Sequence, residues 1–346
     1  MAGITYISWA ESCSRSDHTA RELGGTSHMV YAPWWGSRPS TILFKYLQQW
    51  FRTGRILSRE RPNIVFVMTP PLVASLPAFW YAFVRGKRVV IDAHSAAFLH
   101  PRWRRLQWLQ RLLCRRAVTT LVHNTHLAER VRALGAHATL VPDVPVVFDR
   151  VDPFPRPATF TVAVACSFNP DEPIAAMLDA AALLPDIRFF VTGDVCHLAP
   201  ELAGRVPPNV TLTGFLSAEA YGGLLSSADA VMTLTTRDHT MLRGAYEAIY
   251  QGTPVIVSDW VLLRDAFDEG AVHVDNSSAQ IVEAVRRVAA DPRGYRAGAM
   301  RLRDRKRRQW VRTKDELLNV AGRVVGERHK VEGSRDAGAG NTYDSK

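Results

Sequence analysis

AVMTLTTRDHTMLRGAYEAIYQGTPVIVSDW, residues 230–260, reads as a strand, a loop, a helix and a second strand in immediate succession. Residues 230–236 form an apolar, β-branched run without polar alternation, the pattern of a strand covered on both faces. A polar corner follows: Thr236, Arg237, Asp238, His239 and Thr240. The spacing predicts a helix over 241–251, with Leu242, Ala245, Ala248 and Ile249 on one stripe. Gly252 ends that helix, and Pro254 follows at the usual distance. Residues 254–258 supply the second buried strand. Two buried strands joined through a helix belong to a parallel sheet. The loop between them meets a helix N-terminus, where N–H groups point outward and the dipole is positive, so a phosphate binds there with little further help. Glu247 lies two turns into the helix and can accept hydrogen bonds from a ribose.

The rest of the chain extends this pattern. Its 346 residues suit two domains. Hydrophobic residues make up 47% and charged residues 22%, a globular composition. A formal net charge of +10 favours an anionic partner, such as nucleotide phosphates or an anionic membrane surface. Cys13, Cys114, Cys166 and Cys196 are far apart with no C-x-x-C pair, which argues for a reduced compartment and against a zinc site. The opening MAGITYISWAE is already strand-like, with no basic region leading an apolar one, so a cytoplasmic protein without a signal peptide is expected. Residues 65–84 are apolar, but Pro70 and Pro71 interrupt them, so they read as a buried strand and then a helix.

In the first half, strands are expected at 4–9, 64–68, 88–92, 118–122 and 138–141. Residues 11–17 read as a polar loop, with a helix beginning at His18. Residues 40–59 read as an amphipathic helix with Leu43, Tyr46, Leu47, Trp50 and Phe51 inward. Residues 100–116 read as one helix with Leu106, Leu109, Leu112 and Leu113 on its core face. Its six arginines, with Trp103 and Trp108, suit either an anionic bilayer surface or a solvated basic face. Residues 151–157 hold three prolines and read as a linker. The second half has strands expected at 160–166, 187–192, 210–214 and 271–274 besides the opening pair. A basic helix follows over 295–325, and residues 331–346 have no apolar period and are expected to be disordered.

Glu247-Ala248 followed by Gly252-Thr253-Pro254-Val255-Ile256 resembles the nucleotide-sugar-binding half of GT-B glycosyltransferases. The likeness is to the large retaining, family 4-like group marked by a glutamate, seven residues and a second glutamate before a G-x-P-V-I turn. The chain departs from that mark at His239, where the group has its first glutamate, and at Leu242, where it usually has glycine. The Gly193-Asp194 turn and the glycine turn at Gly214 also resemble that half.

The resemblance implies an α/β chain of two Rossmann-like domains facing each other across a cleft, with a C-terminal helix crossing back. The expected parts are an acceptor-binding domain over 1–150, the linker 151–157, a nucleotide-sugar-binding domain over 158–310, the crossing helix over 311–330 and the tail over 331–346. The implied activity is transfer of a sugar from a nucleotide-diphosphate sugar, with retention, to an acceptor hydroxyl in glycan, glycolipid or polysaccharide synthesis. Glu247 is expected at the ribose. Arg237 and Arg243 flank the phosphate loop, and either can replace the basic pair that the group carries elsewhere and that residues 167–173 lack. Thr240, Met241, Leu242, Ser167, Gly193 and Gly214 complete the donor site. His94, oriented by Asp92, is expected at the transferred sugar or the acceptor, or else is a buried histidine satisfied by a carbonyl. His239 is expected at the sugar or the diphosphate. Ser14, Arg15 and Ser16 face the acceptor, or else form a solvated turn.

Leaving-group stabilisation by arginines and a helix dipole needs no cofactor, and no D-x-D metal motif is present. The expected partners are the donor, a lipid-linked or glycan acceptor, and the inner face of an anionic membrane. Three other readings compete. A nucleotide-sugar epimerase on the same fold would need further acidic residues. A non-catalytic nucleotide-sugar-binding protein is suggested by His239. A nucleic-acid partner lacks any motif.

Overall fold

The computed structural model describes residues 3–35, 40–148, 150–155, 157–238 and 240–336. His239 therefore lies outside the described residues, as do 337–346 of the expected tail. The chain divides into two compact units, Met1–Val144 with Trp310–Lys346, and Pro145–Gln309.

In the first unit, strands and helices alternate: β1 (Ile4–Ser8), α1 (Ser14–Glu22), β2 (Thr26–Met29), α2 (Ile42–Glu60), β3 (Ile64–Thr69), α3 (Ser75–Arg85), β4 (Arg88–Ala93), α4 (Ser95–Leu99), α5 (Gln107–Arg116), β5 (Thr120–Val122), α6 (Thr125–Ala133) and β6 (Ala138–Leu140). The strands pair in parallel in the order β2-β1-β3-β4-β5-β6. β3, IVFVMT, is buried at every position, as a strand covered on both faces requires.

The second unit continues with β7 (Thr161–Val164), α7 (Ile174–Ala182), β8 (Arg188–Thr192), α8 (Pro200–Ala203), β9 (Val210–Gly214), α9 (Ala218–Ser227), β10 (Ala230–Thr233), α10 (Arg243–Tyr250), β11 (Val255–Ser258), α11 (Val261–Ala266), β12 (Ala271–Val274) and α12 (Ser278–Ala290). Its parallel order is β12-β11-β10-β7-β8-β9. Each unit carries apolar cores on its sheet. A last helix, α13 (Pro292–Asp336), lends Ala299 and Leu302 to the core of the second unit and Trp310, Leu317 and Ala321 to that of the first. No described helix is long and apolar enough to cross a membrane.

Five expectations need correction. α1 starts at Ser14, so residues 14–16 form its first turn rather than a loop. Residues 100–116 are a 3₁₀ turn, Pro101–Leu106, and then α5. Trp103 is buried, whereas Trp108 and Leu112 are exposed. On α2, Leu43, Leu47 and Phe51 face outward. That helix carries two stripes, and the core takes the one with Gln49, Thr53 and Leu57. Thr53 Oγ1 accepts the Trp9 indole N–H at 2.9 Å, and Gln49 Nε2 donates to Val30 O at 2.6 Å. The expected linker is laid against the second unit, with Asp152 N–H donating to Glu219 O at 3.2 Å and Phe154 edge-on to Phe190. Finally, α13 runs unbroken from Pro292 through Asp336. It starts before residue 311 and ends past residue 330, because no proline interrupts it after its first residue.

Candidate functional site

In the second unit the chain builds β7, β8 and β9 outward, then returns to build β10, β11 and β12 on the other side of β7. The β7/β10 neighbourhood is therefore the switch point of an open parallel sheet, and its crevice lies beyond the carboxyl ends of those strands. The loops after β7 and β10 are stitched together there. Thr235 is fixed at every polar atom. Its N–H donates to Ser258 Oγ at 2.8 Å and its hydroxyl to Asp171 Oδ2 at 2.9 Å. Its carbonyl accepts from Trp260 Nε1 at 2.9 Å and from Asn276 Nδ2 at 3.0 Å. Thr236 N–H adds a bond to Asp171 O at 2.7 Å, and the Arg237 guanidinium lies 3.6 Å from Asp171 Oδ1. The sequence reading missed Thr235 and Asp171; their partners come from four separate loops.

The expected donor residues sit along this edge. Ser167 follows β7, and its N–H donates to the Glu172 carboxylate at 3.0 and 3.1 Å, as Asn169 N–H does at 2.8 Å. Burial raises the Glu172 carboxyl above its ordinary range, against those bonds. Gly193, at φ 119°, brings its turn so near that a Cβ would lie 2.7 Å from Cys166 O; its N–H donates to Gly214 O at 3.2 Å.

α10 starts two residues later than the periodicity predicts. Leu242 is its N-cap in extended conformation and its side chain is buried, so Leu242 can offer a ligand only its backbone. Thr240 and Met241, both half-buried, lead into it. Gly244 lets the start of α10 close on the end of β7, since a Cβ there would stand 2.8 Å from Ala165 Cβ. The helix start is thereby set at the switch point without a side-chain cap. Glu247 is 8% exposed. Its Oε1 accepts from Arg243 Nε at 3.0 Å, and its Oε2 from Tyr221 hydroxyl at 3.0 Å. Burial and the Glu247 charge push the Tyr221 phenol well above its ordinary value, so it stays a donor.

At the carboxyl edge of the first sheet, Asp92 Oδ2 accepts from Tyr6 hydroxyl and from Arg15 Nε at 3.1 Å. Arg15 also donates to Val141 O at 3.0 Å. Burial alone would raise the Asp92 carboxyl. The charges of Arg15 and His94, with the two hydrogen bonds, hold it below its ordinary range. His94 follows β4, caps α4, and its N–H donates to Thr69 O at 2.9 Å. His123, just past β5, is lowered to about 4 by burial, then by Arg15 and His94, against Asp92.

Arg15 and Ser16 are not displayed to an acceptor as expected. Arg15 spans two strand ends, and Ser16 is fully buried with its Oγ 2.7 Å from Ser8 Oγ, because α1 begins early enough to press both onto the sheet. Ser14 alone of the three is exposed. Among the described residues, no group of three His, Cys, Asp or Glu side chains is placed to hold a metal ion.

Residues 172–318 match the family model described as Glycosyl transferase-like. No curated protein matches the chain. The fold is shared with sucrose-phosphate synthase from Thermosynechococcus elongatus at 13% identity and a TM-score of 0.68, over 94% of this chain and 100% of that one. It is shared with Anabaena Alr3699/HepE in complex with UDP and glucose, at 13% identity and 0.66, over 92% and 99%. A UDP-N-acetylglucosamine 2-epimerase-like protein from Listeria monocytogenes is similar at 14% identity and 0.60, over 86% and 91%. The chain is thus a two-unit α/β protein of the GT-B fold, whose segment 172–318 is glycosyltransferase-like.

Proposed function

We propose that the protein transfers a sugar from a nucleotide-diphosphate sugar to an acceptor hydroxyl, with retention. The observation that carries this is Glu247, buried one turn into an uncapped helix at the switch point of the second sheet, inside the glycosyltransferase-like segment. The ribose takes the Glu247 carboxylate. The diphosphate takes the start of α10, with Arg237 and Arg243 at its rim. A loop fixed as Thr235 is fixed needs no reorganisation as charge develops on the leaving phosphate. Neither cofactor nor obligatory metal enters this scheme. His94, from the first unit, serves the acceptor or the transferred sugar. His239, where the resembled group carries a carboxylate, serves the leaving phosphate.

The test is a thermal-shift panel of UDP, GDP, ADP and their sugars, followed by product analysis, since a ligand of the folded state raises Tm. UDP-glucose comes first, because a fold neighbour holds it. No shift with any donor would overturn the reading. Shift without transfer or hydrolysis would favour a binding protein, and an altered sugar without transfer an epimerase.

We also propose that the first unit docks on the inner face of an anionic membrane. Phe51 of α2 and Phe83 of α3 are 70% and 83% exposed, and Trp108 of α5 is exposed among arginines. Such aromatics enter the headgroup layer while each arginine adds about 1 kcal/mol near the surface. Flotation with neutral and anionic vesicles at two salt concentrations tests it; equal binding to both, or none, would overturn it.

A further inference from the structure

The first sheet has its own switch point, between β1 and β3, since β2 lies on the far side of β1. Beyond the carboxyl ends of those two strands lies a cavity of about 310 Å³. Trp9, just past β1, and Pro70 and Pro71, just past β3, line it, where the topology places a ligand crevice. The volume is at the lower end of the range for small-molecule sites. Its chemistry is specific. Three aromatic side chains, Trp9, Tyr46 and Trp103, are among the lining residues. The Trp9 indole N–H is already spent on Thr53, so its ring presents an apolar face.

The polar lining is one-signed. Lys45 comes from α2, and His100 and Arg102 from the turn before α5, with no carboxylate among the lining residues. The Arg102 guanidinium lies 5.7 Å over the Trp103 ring, and its charge also acts on the Tyr46 phenol. His100 Nδ1 accepts the Arg102 N–H at 3.1 Å, so the neutral ring carries its proton on Nε2, as a donor. Gln49 also lines the cavity. It is 1% exposed, and its Oε1 has no hydrogen-bond partner, although its Nε2 is satisfied. A buried carbonyl left without a donor is unfavourable, and a ligand hydroxyl removes that cost.

We propose that this cavity binds a sugar phosphate: the phosphate between Lys45, Arg102 and His100, the ring on the aromatic side chains, a hydroxyl on Gln49. Naming that sugar phosphate the acceptor rests on the glycosyltransfer reading; the binding itself does not. Phosphate oxygens suit a guanidinium fork and an ammonium together. Pyranose faces suit indole and phenol rings.

The test is calorimetry on the full chain with glucose 6-phosphate, glucose, inorganic phosphate and farnesyl phosphate, and with UDP in parallel. Glucose 6-phosphate should bind at least about tenfold tighter than each of the other three. The double variant Lys45→Gln with Arg102→Gln should lose at least about tenfold for it and keep UDP affinity; both side chains are partly or fully exposed, so the fold should hold. Glucose or inorganic phosphate binding as tightly as glucose 6-phosphate would overturn the proposal, and so would an unchanged double variant. Farnesyl phosphate binding tighter would assign the cavity to a lipid phosphate instead. Failure of every phosphate with UDP still bound sinks this inference alone. Failure of UDP with glucose 6-phosphate still bound sinks the transfer reading alone.

Discussion

Each unit sets one buried carboxylate between an arginine and a tyrosine. Asp92 takes Arg15 and Tyr6; Glu247 takes Arg243 and Tyr221. The donors are the same and the construction is different. The partners of Asp92 are 77 and 86 residues away in sequence, on α1 and β1, and Arg15 also holds Val141 past β6. Glu247 is paired to an arginine four residues before it on its own helix. The side chains of the first pair are 14% and 2% exposed, those of the second 31% and 11%. Freeing Asp92 would undo contacts between distant strands. Glu247 and Arg243 share one helix, so parting them separates no strands. The two carboxylates thus differ in where their arginine comes from, and under the proposed function only Glu247 exchanges its partner for a ligand.

The largest effect should follow Asp92→Asn. It strands the Arg15 charge in a buried place, and breaking a buried pair from one side costs about 3–5 kcal/mol. Hydrogen exchange of β1 and β4 amides, which follows the first unit by itself, should show protection falling by that amount. A loss below about 1 kcal/mol would erase the distinction between the two carboxylates.

The same network sets a pH response in the first unit. His123 falls from the ordinary 6.5 to about 4 in the folded chain. Between those values the unfolded chain binds the extra proton, so stability declines as pH falls through that window. The slope is at most about 1.4 kcal/mol per pH unit. Asp92, whose folded value lies below the ordinary one, adds stability present above the ordinary carboxylate range and lost only as pH falls through the folded value. His123→Gln should flatten the upper window and leave the lower one. Urea midpoints of parent and variant at pH 7, 5.5 and 4.5 check this; parallel curves would remove His123 from the network.

Glu247→Ala should leave the fold intact and weaken nucleotide binding by about 1–3 kcal/mol, from lost bonds to a charged acceptor. Calorimetry with the nucleotide that the thermal-shift panel selects decides it. An unchanged Kd would make Glu247 a second fastener and collapse the contrast with Asp92.

What the sequence displays and what it hides follow the same division. The parallel sheets are legible because strands covered on both faces leave continuous apolar runs, as in β3 and β10. Glu247 is legible because its phrase, from Glu247 to Ile256, is contiguous. The Asp92 network is not, since a bond across 86 residues leaves no local pattern; Arg15 and Ser16 accordingly read as a surface loop. Thr235 is hidden for the same reason, with partners on three other loops. The start of α10 lies two residues past the periodic signal because Leu242 continues the apolar stripe while its backbone is still extended. On α2 two stripes competed, and the choice rested on what Trp9 and Val30 needed to bond, which no periodicity contains.

The smallest effects come from deleting one oxygen in each trio. Tyr6→Phe and Tyr221→Phe remove the same hydroxyl from the same kind of carboxylate, so the pair isolates the surroundings. Tyr6 is fully buried, and without its hydroxyl Asp92 keeps only Arg15 among its two hydrogen-bond donors. The cost should fall on stability, at about 1–3 kcal/mol, because a buried acceptor then lacks a donor. Tyr221 is half-buried, and Glu247 keeps Arg243. If Glu247 binds the ribose as proposed, the loss there should be about 0.5–1.5 kcal/mol and should appear in nucleotide affinity, since the phenol holds that carboxylate. Exchange protection and calorimetric Kd, both measured on both variants, make a two-by-two comparison. The contrast holds if Tyr6→Phe moves protection alone and Tyr221→Phe moves affinity alone. If Tyr221→Phe instead lowers the protection of α9 and α10 and leaves Kd where it was, its hydroxyl serves packing, and the donor site must be held in place by Arg243 and Thr235 without it.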